Sequence, residues 1–250
     1  MKKNKMAWLM GLAMLLAGGR VMAAGNFEGE VDMKINKLNT NGHLIQYFVK
    51  GHKARFQADS SDGKSSGSGI YDWQTNQIIL LMDKQKMYMV SQTHPEKFHY
   101  GNDKHFKITK TGNSENILGY DCQEWAYTSD DNNGKIWFAS GIGNWWANQM
   151  AAQADKLPPD QRALVEVAVD QKLFPMKWET TDKSNSYRGG GEVVKVEKKS
   201  IDESFFEPPA GYKKFDMGSL FGGGAANQSG SQDSSENKDI LSGVKSKLPF

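Results

Sequence analysis

The chain has one cysteine, Cys122. A single thiol cannot close an internal disulfide, so the domain must be held by its core. Proline is sparse as well, seven residues in 250, two of them adjacent at Pro158-Pro159. The apolar stretch Met6 to Ala17 falls short of the ~20 residues that a spanning helix needs. Charge of either sign is not in excess: the chain carries a formal +2, and 27 basic against 29 acidic residues remain once residues 1–23 are set aside. A near-neutral chain has no basic stripe, which argues against nucleic acid as a partner.

What the N-terminus does have is a processing pattern. Lys2, Lys3 and Lys5 precede the apolar stretch, and the small-residue site Val21-Met22-Ala23-Ala24 follows it. This is the layout of a secretory signal peptide. Residues 1–23 are expected to be removed, with cleavage after Ala24 as the alternative. No cysteine stands at that point for lipid attachment. The expected location is the periplasm or the medium, and the cleaved chain is not expected to span a membrane.

Recognisable chemistry is also missing. His94, His99 and His105 are spaced by five and six residues, which fits no zinc pattern or helical pair. Asp130-Asp131-Asn132-Asn133-Gly134 lacks the downstream glutamate of a calcium loop and reads as a tight turn using positive φ. Gly189-Gly190-Gly191 opens no helix, so phosphate binding has little support. No local Ser-His-Asp or Cys-His arrangement is present. The expectation is a non-enzyme with no metal and no cofactor; a hydrolase built across the fold is the minority reading. Cys122 lies on an apolar strand without a neighbouring base and is expected to be buried and structural.

What is abundant is alternation. Phe27, Val31, Met33 and Ile35 alternate with Glu30, Asp32 and Lys34, a strand with one buried face. Further strands are expected over Leu44–Lys50, His52–Ala58, Ile70–Trp73, Gln77–Met82 and Lys86–Gln92, the spacing of a meander. Phe106–Thr109 resumes before Gly112. Ile117 to Ser140 then forms the central hairpin, with Trp125 and Tyr127 on one face and Tyr120, Cys122 and Glu124 on the other. In its second arm Ile136 and Phe138 oppose Trp137. The period changes at Trp146, Met150, Ala154 and Leu157, and again at Leu164, Val165, Ala168 and Val169, two helices within about 144–172 with Pro159 in the first turn of the second. Phe174–Trp178 and Glu192–Lys199 return to extended structure around a glycine-rich loop, 184–191. Ile201 to Tyr212 is an irregular closing segment that Phe205 and Phe206 should pin to the core. From Gly218 to Phe250 the composition turns to Gly, Ser, Asn and Gln, a disordered tail.

Six tryptophans, Trp73, Trp125, Trp137, Trp145, Trp146 and Trp178, with 12 methionines in the chain, exceed what surfaces and turns need. Most serve as core filling. Trp125, Trp137, Trp145 and Trp146 are the candidates for lining an apolar ligand cavity. Adjacent helix residues cannot both face one groove, so one of Trp145 and Trp146 should lie near a rim.

The order Ile117-Leu118-Gly119-Tyr120-Asp121-Cys122, Trp125, Ile136-Trp137-Phe138-Ala139, Phe174-Pro175-Met176-Lys177 and Phe205 to Tyr212 resembles an uncharacterised exported bacterial family, domain-of-unknown-function family 4412. More distantly, the chain is similar to the half-barrel lipoprotein carriers of the Lol type. The resemblance spans roughly Phe27 to Phe215. It implies an α+β, mostly antiparallel β fold over 24–217, a strongly curved sheet (half-barrel) wrapping the two-helix insertion. It implies an exported binding domain for a lipid, an amphiphile or an envelope protein. The alternative is an envelope interaction module with a filled core, in which the tail acts as tether or partner motif.

Overall fold

A computed structural model of the chain describes residues 27–37, 42–59, 66–95, 105–153 and 157–215. The expected signal peptide (1–23) and tail (218–250), as well as His99 and Ala154, lie outside the described residues. Within them one sheet contains β1 (Gly29–Lys37), β2 (His43–Lys50), β3 (Lys53–Asp59), β4 (Ser66–Asp72), β5 (Gln77–Met82) and β6 (Met87–Gln92). It continues with β7 (Lys107–Ile117), β8 (Tyr120–Thr128), β9 (Asn132–Ala139), β10 (Phe174–Asp182), β11 (Tyr187–Lys198) and β12 (Lys213–Lys214). Helices α1 (Trp145–Ala151) and α2 (Pro159–Asp170) are inserted between β9 and β10. The spatial order is β12-β6-β5-β4-β3-β2-β1-β11-β10-β9-β8-β7. All neighbours are antiparallel except β12 with β6. β12 and β7 stand at opposite ends of the order, so the sheet is open. No helix among the described residues is long and apolar enough to cross a membrane.

Side-chain alternation divides the β2–β6 wing into two faces. Ile45, Tyr47 and Val49 of β2, Tyr71 of β4 and Ile78 of β5 join Val31 and Met33 of β1 in the main core. The opposite face presents Phe48, Ile70, Ile79 and Leu81, and these pack against Ile201, Phe205 and Phe206. The closing segment therefore is pinned by its two phenylalanines, but to this second face rather than to the main core. Asp202 caps its short turn, Glu203–Phe206, by accepting the Ser204 N–H at 2.8 Å. Arg55 donates to the Phe205 carbonyl at 3.0 Å and lies 4.4 Å over its ring.

The central hairpin differs from expectation in where it turns. Ser129 N–H donates to the Asn132 carbonyl at 2.8 Å, and Asn132 N–H to Ser129 Oγ at 3.1 Å. β9 has already begun at Asn132, and Gly134 lies inside it. Its glycine is required by close approach: a Cβ there would stand 2.3 Å from Tyr127 Cζ. The positive-φ pair is instead Leu118 (φ 52°) and Gly119 (φ 85°), between Ile117 and Tyr120, which pair as the last residue of β7 and the first of β8. That is the two-residue turn whose twist matches its flanking strands. The expected 184–191 loop is also shorter, because β11 starts at Tyr187 and takes in all three glycines.

Candidate functional site

Helix α1 contributes one residue that organises the interior. Trp145 is 3% exposed, with its ring centroid 5.1 Å from Tyr47 of β2 and 5.0 Å from Phe174 of β10. Two strands, β1 and β11, separate β2 from β10. At a spacing of 4.7–4.9 Å a flat sheet would hold them about 14 Å apart. One indole reaches rings on both because the sheet curls around α1. The fold is thus an open, curled half-barrel of antiparallel strands with two helices, as the resemblance implied.

The four tryptophans singled out from sequence fall into more than one group. Trp137 and Trp145 belong to the main core with Cys122, Ala139 and Phe174. Trp125 sits in a neighbouring cluster with Ile136, Phe138, Ala147 of α1 and Ala168 of α2, edge-on to Phe138 at 6.1 Å. Ile136 pairs with Trp125 and the next residue, Trp137, with Glu124, so the two indoles leave the β8–β9 ribbon on opposite sides. Trp146, half-buried, touches both clusters and also the Met150–Leu157–Val165 group between the helices. Sequence reasoning did not pick Tyr47 or Phe174, although Tyr47 lies on the apolar beat Ile45-Tyr47-Val49.

It also passed over Gln149, one helical turn beyond Trp145. Positions i and i+4 share a helix face, so a glutamine there follows the tryptophan inward. Gln149 is 1% exposed, and neither its Nε2 nor its Oε1 has a hydrogen-bond partner among the described residues. The same holds for the indole Nε1 of Trp145 and of Trp125. The signal was legible: a polar residue on the buried face of a helix whose sequence, WWANQMA, carries no charge.

Burial governs the titratable groups near this interior. It pushes the Tyr47 phenol upward, and it raises the Cys122 thiol to about 11. Cys122 is fully buried and its Sγ donates to the Tyr120 carbonyl at 3.3 Å. A thiol with both properties is almost devoid of thiolate at neutral pH and is closed to reagents. Native protein is expected to leave Ellman's reagent unreacted for an hour at pH 8, whereas one thiol per chain reacts within minutes in concentrated guanidinium. Rapid labelling of the native protein would contradict this placement.

Buried carboxylates lie elsewhere. Burial raises the Glu30 carboxyl, but bonds from Lys195 (2.8 Å) and Lys199 outweigh it and hold the group below its usual range. Asp32, next on the same face of β1, is pushed up by burial and then by the Glu30 charge. Glu30 makes ion pairs with Lys195 of β11 and with Lys199 beyond it, along a strand pairing rather than in a catalytic cleft; Asp32 stands opposite Lys195 in the register but keeps a buried Oδ1 without a hydrogen-bond partner. His105 Nδ1 lies 3.1 Å from Asp130, and His52 Nε2 3.5 Å from Asp72. No group of three or more metal-ligating side chains occurs among the described residues.

The family described as Domain of unknown function (DUF4412) matches residues 27–212. The chain belongs to this family. The matched range takes in β1 through the closing segment, hence the whole aromatic interior. Among solved structures, the chain is similar to an uncharacterized conserved protein from Thermus thermophilus, with 6% identity over 77% of this chain and 91% of that one at a TM-score of 0.44. It is similar to MucB in complex with MucA(peri), at 10% identity, 73% and 54% coverage and a TM-score of 0.39; it therefore spans about half of that chain. A putative outer membrane lipoprotein-sorting protein domain from Vibrio parahaemolyticus gives 8% identity, 74% and 90% coverage and a TM-score of 0.28. No curated protein matches.

Proposed function

We propose that this DUF4412 domain is an exported, non-enzymatic binding module of the cell envelope that holds an apolar or amphiphilic molecule against its concave face. The observation that carries the reading is Trp145. A short helix places one indole between Tyr47 and Phe174 at the centre of a curled, open sheet. Concave, mostly aromatic surfaces with a few placed polar groups are what ligand sites are made of. Trp137 and half-buried Trp146 pack with the same cluster as Trp145, while Trp125 lies in the neighbouring cluster on the other side of the β8–β9 ribbon. The expected signal peptide supplies the route to the periplasm.

A protein occupant is the second reading, favoured by β7. This strand ends the sheet, and most of its residues from Lys107 to Ile117 are exposed, the kind of edge to which another chain can add a strand. Native mass spectrometry of protein purified without detergent from the envelope of its own host tests both. A bound mass of lipid size that is lost on denaturation supports the first reading, and a polypeptide supports the second. An unliganded chain that also fails to take up a fluorescent fatty acid would remove the ligand-holding reading.

A further inference from the structure

The seam between β1 and β11 contains an acid that its surroundings do not serve. Asp32 is 8% exposed, and one of its two carboxylate oxygens, Oδ1, is buried without a hydrogen-bond partner among the described residues. An ionised carboxylate accepts at both oxygens, and a buried one left short of donors is costly. The cations beside it are committed elsewhere. Lys195, opposite Asp32 on β11, lies 2.8 Å from Glu30 and 3.0 Å from Glu197. Lys199 pairs with the same two glutamates. Glu30, two positions back on the same face of β1, is thus compensated twice. Gln46, opposite Asp32 on β2, supplies a neutral donor, and Leu44 and Phe48 on the same face of β2 carry no charge. Lys34, the next residue on that face of β1, and its partner Glu192 are exposed.

We propose that Asp32 and Glu30 form a proton-operated latch on the β1–β11 pairing: protonated Asp32 donates to the Glu30 carboxylate and closes the latch, and its ionisation leaves two buried carboxylates side by side with the lysines already taken. Protonation turns an underserved acceptor into a donor to a charged group, the stronger kind of hydrogen bond. The proton is exchanged with water. The sign of the pH dependence follows from the placement. Burial and then the Glu30 charge lift Asp32 above its ordinary 3.8, so the folded chain holds this proton where the unfolded chain has lost it. The contribution is full below 3.8 and is lost as the pH rises through the folded value. Glu30, held below its ordinary range, has the opposite sign, and its contribution is lost as the pH falls through its own folded value. Position gives the latch its reach, since among the described residues β1 with β11 is the strand pair that joins β1 through β6 to β7 through β11. It needs no ligand and stands apart from the binding reading.

Asp32→Asn imitates the closed latch, with an amide that donates to Glu30 and a carbonyl that accepts from Gln46. At pH 8 it should raise the Tm by at least about 2 °C, and the gap to the wild type should narrow steadily as the pH is lowered toward 4. A variant less stable than the wild type at pH 8 would show that Lys195 holds Asp32 in its ionised form, and a gap that does not change with pH would show that no proton is involved. Either result overturns the latch. Wild-type protein supplies a second measure that does not depend on the variant folding. Followed by NMR, the Asp32 carboxyl carbon should titrate with a midpoint above 3.8, and the Glu30 carboxyl carbon should shift in the same step. A midpoint at or below 3.8 overturns the proposal as well.

Discussion

Phe174→Ala is expected to lower the free energy of unfolding by about 3–5 kcal/mol. Phe174 is fully buried at the start of β10 and packs on Trp145 at 5.0 Å between ring centroids. Truncation removes its transfer free energy and leaves a void that the rings beside it cannot fill without letting α1 shift. Since Trp145 also touches Tyr47, the loss should reach β2 across the sheet. Urea unfolding read by tryptophan fluorescence measures the cost. Phe174→Leu, which keeps most of the volume, should lose less than about 1.5 kcal/mol. A Phe174→Ala loss below about 1 kcal/mol would mean that the rings are not packed as described, since core phenylalanine truncations cost about 3–5 kcal/mol.

Gly191→Ala is expected to cost about 1–3 kcal/mol, an unusual penalty for adding one methyl group to a strand. A Cβ at Gly191 would stand 2.2 Å from Cη2 and 2.3 Å from Cζ2 of Trp178. The Trp178 indole lies across the glycine and packs against both the main core and the Trp125 cluster, so it cannot swing aside freely. The near-UV circular dichroism should change together with stability. A double-mutant cycle separates the cause: with Trp178→Leu in place, adding Gly191→Ala should cost much less than in the wild-type background. Additive losses would show that the collision is not the source.

The strands were legible in the sequence where a single face is buried. Val31-Met33-Ile35 and Ile45-Tyr47-Val49 have period two because their other sides face charge, water or the closing segment. Helix α2 was legible for the same reason, and Pro159 opens it as its chemistry requires; the first helix was expected to reach Leu157, but α1 ends at Ala151 and Leu157 lies outside it. Glycine misled. Gly134 and Gly189-Gly190-Gly191 look like turn residues, but at Gly134 and Gly191 the reason for glycine is an aromatic ring, from Tyr127 or Trp178, lying over the backbone. Each ring belongs to the residue directly opposite the glycine on the paired strand, so the relation appears only once the register is known. The candidate site was half legible. An aromatic excess marks a filled or ligand-holding interior without saying which rings meet, and alternation within each arm could not sort Trp125 from Trp137 until the register that pairs Trp125 with Ile136 was known.

The strand order has a consequence for how the chain comes to be folded. β1 through β6 pair in sequence, and so do β7 through β11, giving two ribbons that local contacts can assemble early. Among the described residues their strands pair with each other only where β1 meets β11, with Glu30 and Lys195 in contact across 165 residues of chain. Loop closure over that distance adds little free-energy cost, because it grows only with the logarithm of length, but it imposes an order of events. Until β11 has been synthesised, β1 presents an open row of backbone donors and acceptors to any other chain in the same state. The hazard of aggregation is therefore concentrated in time, in the interval between the two strands, and a chain interrupted before Tyr187 would never leave it.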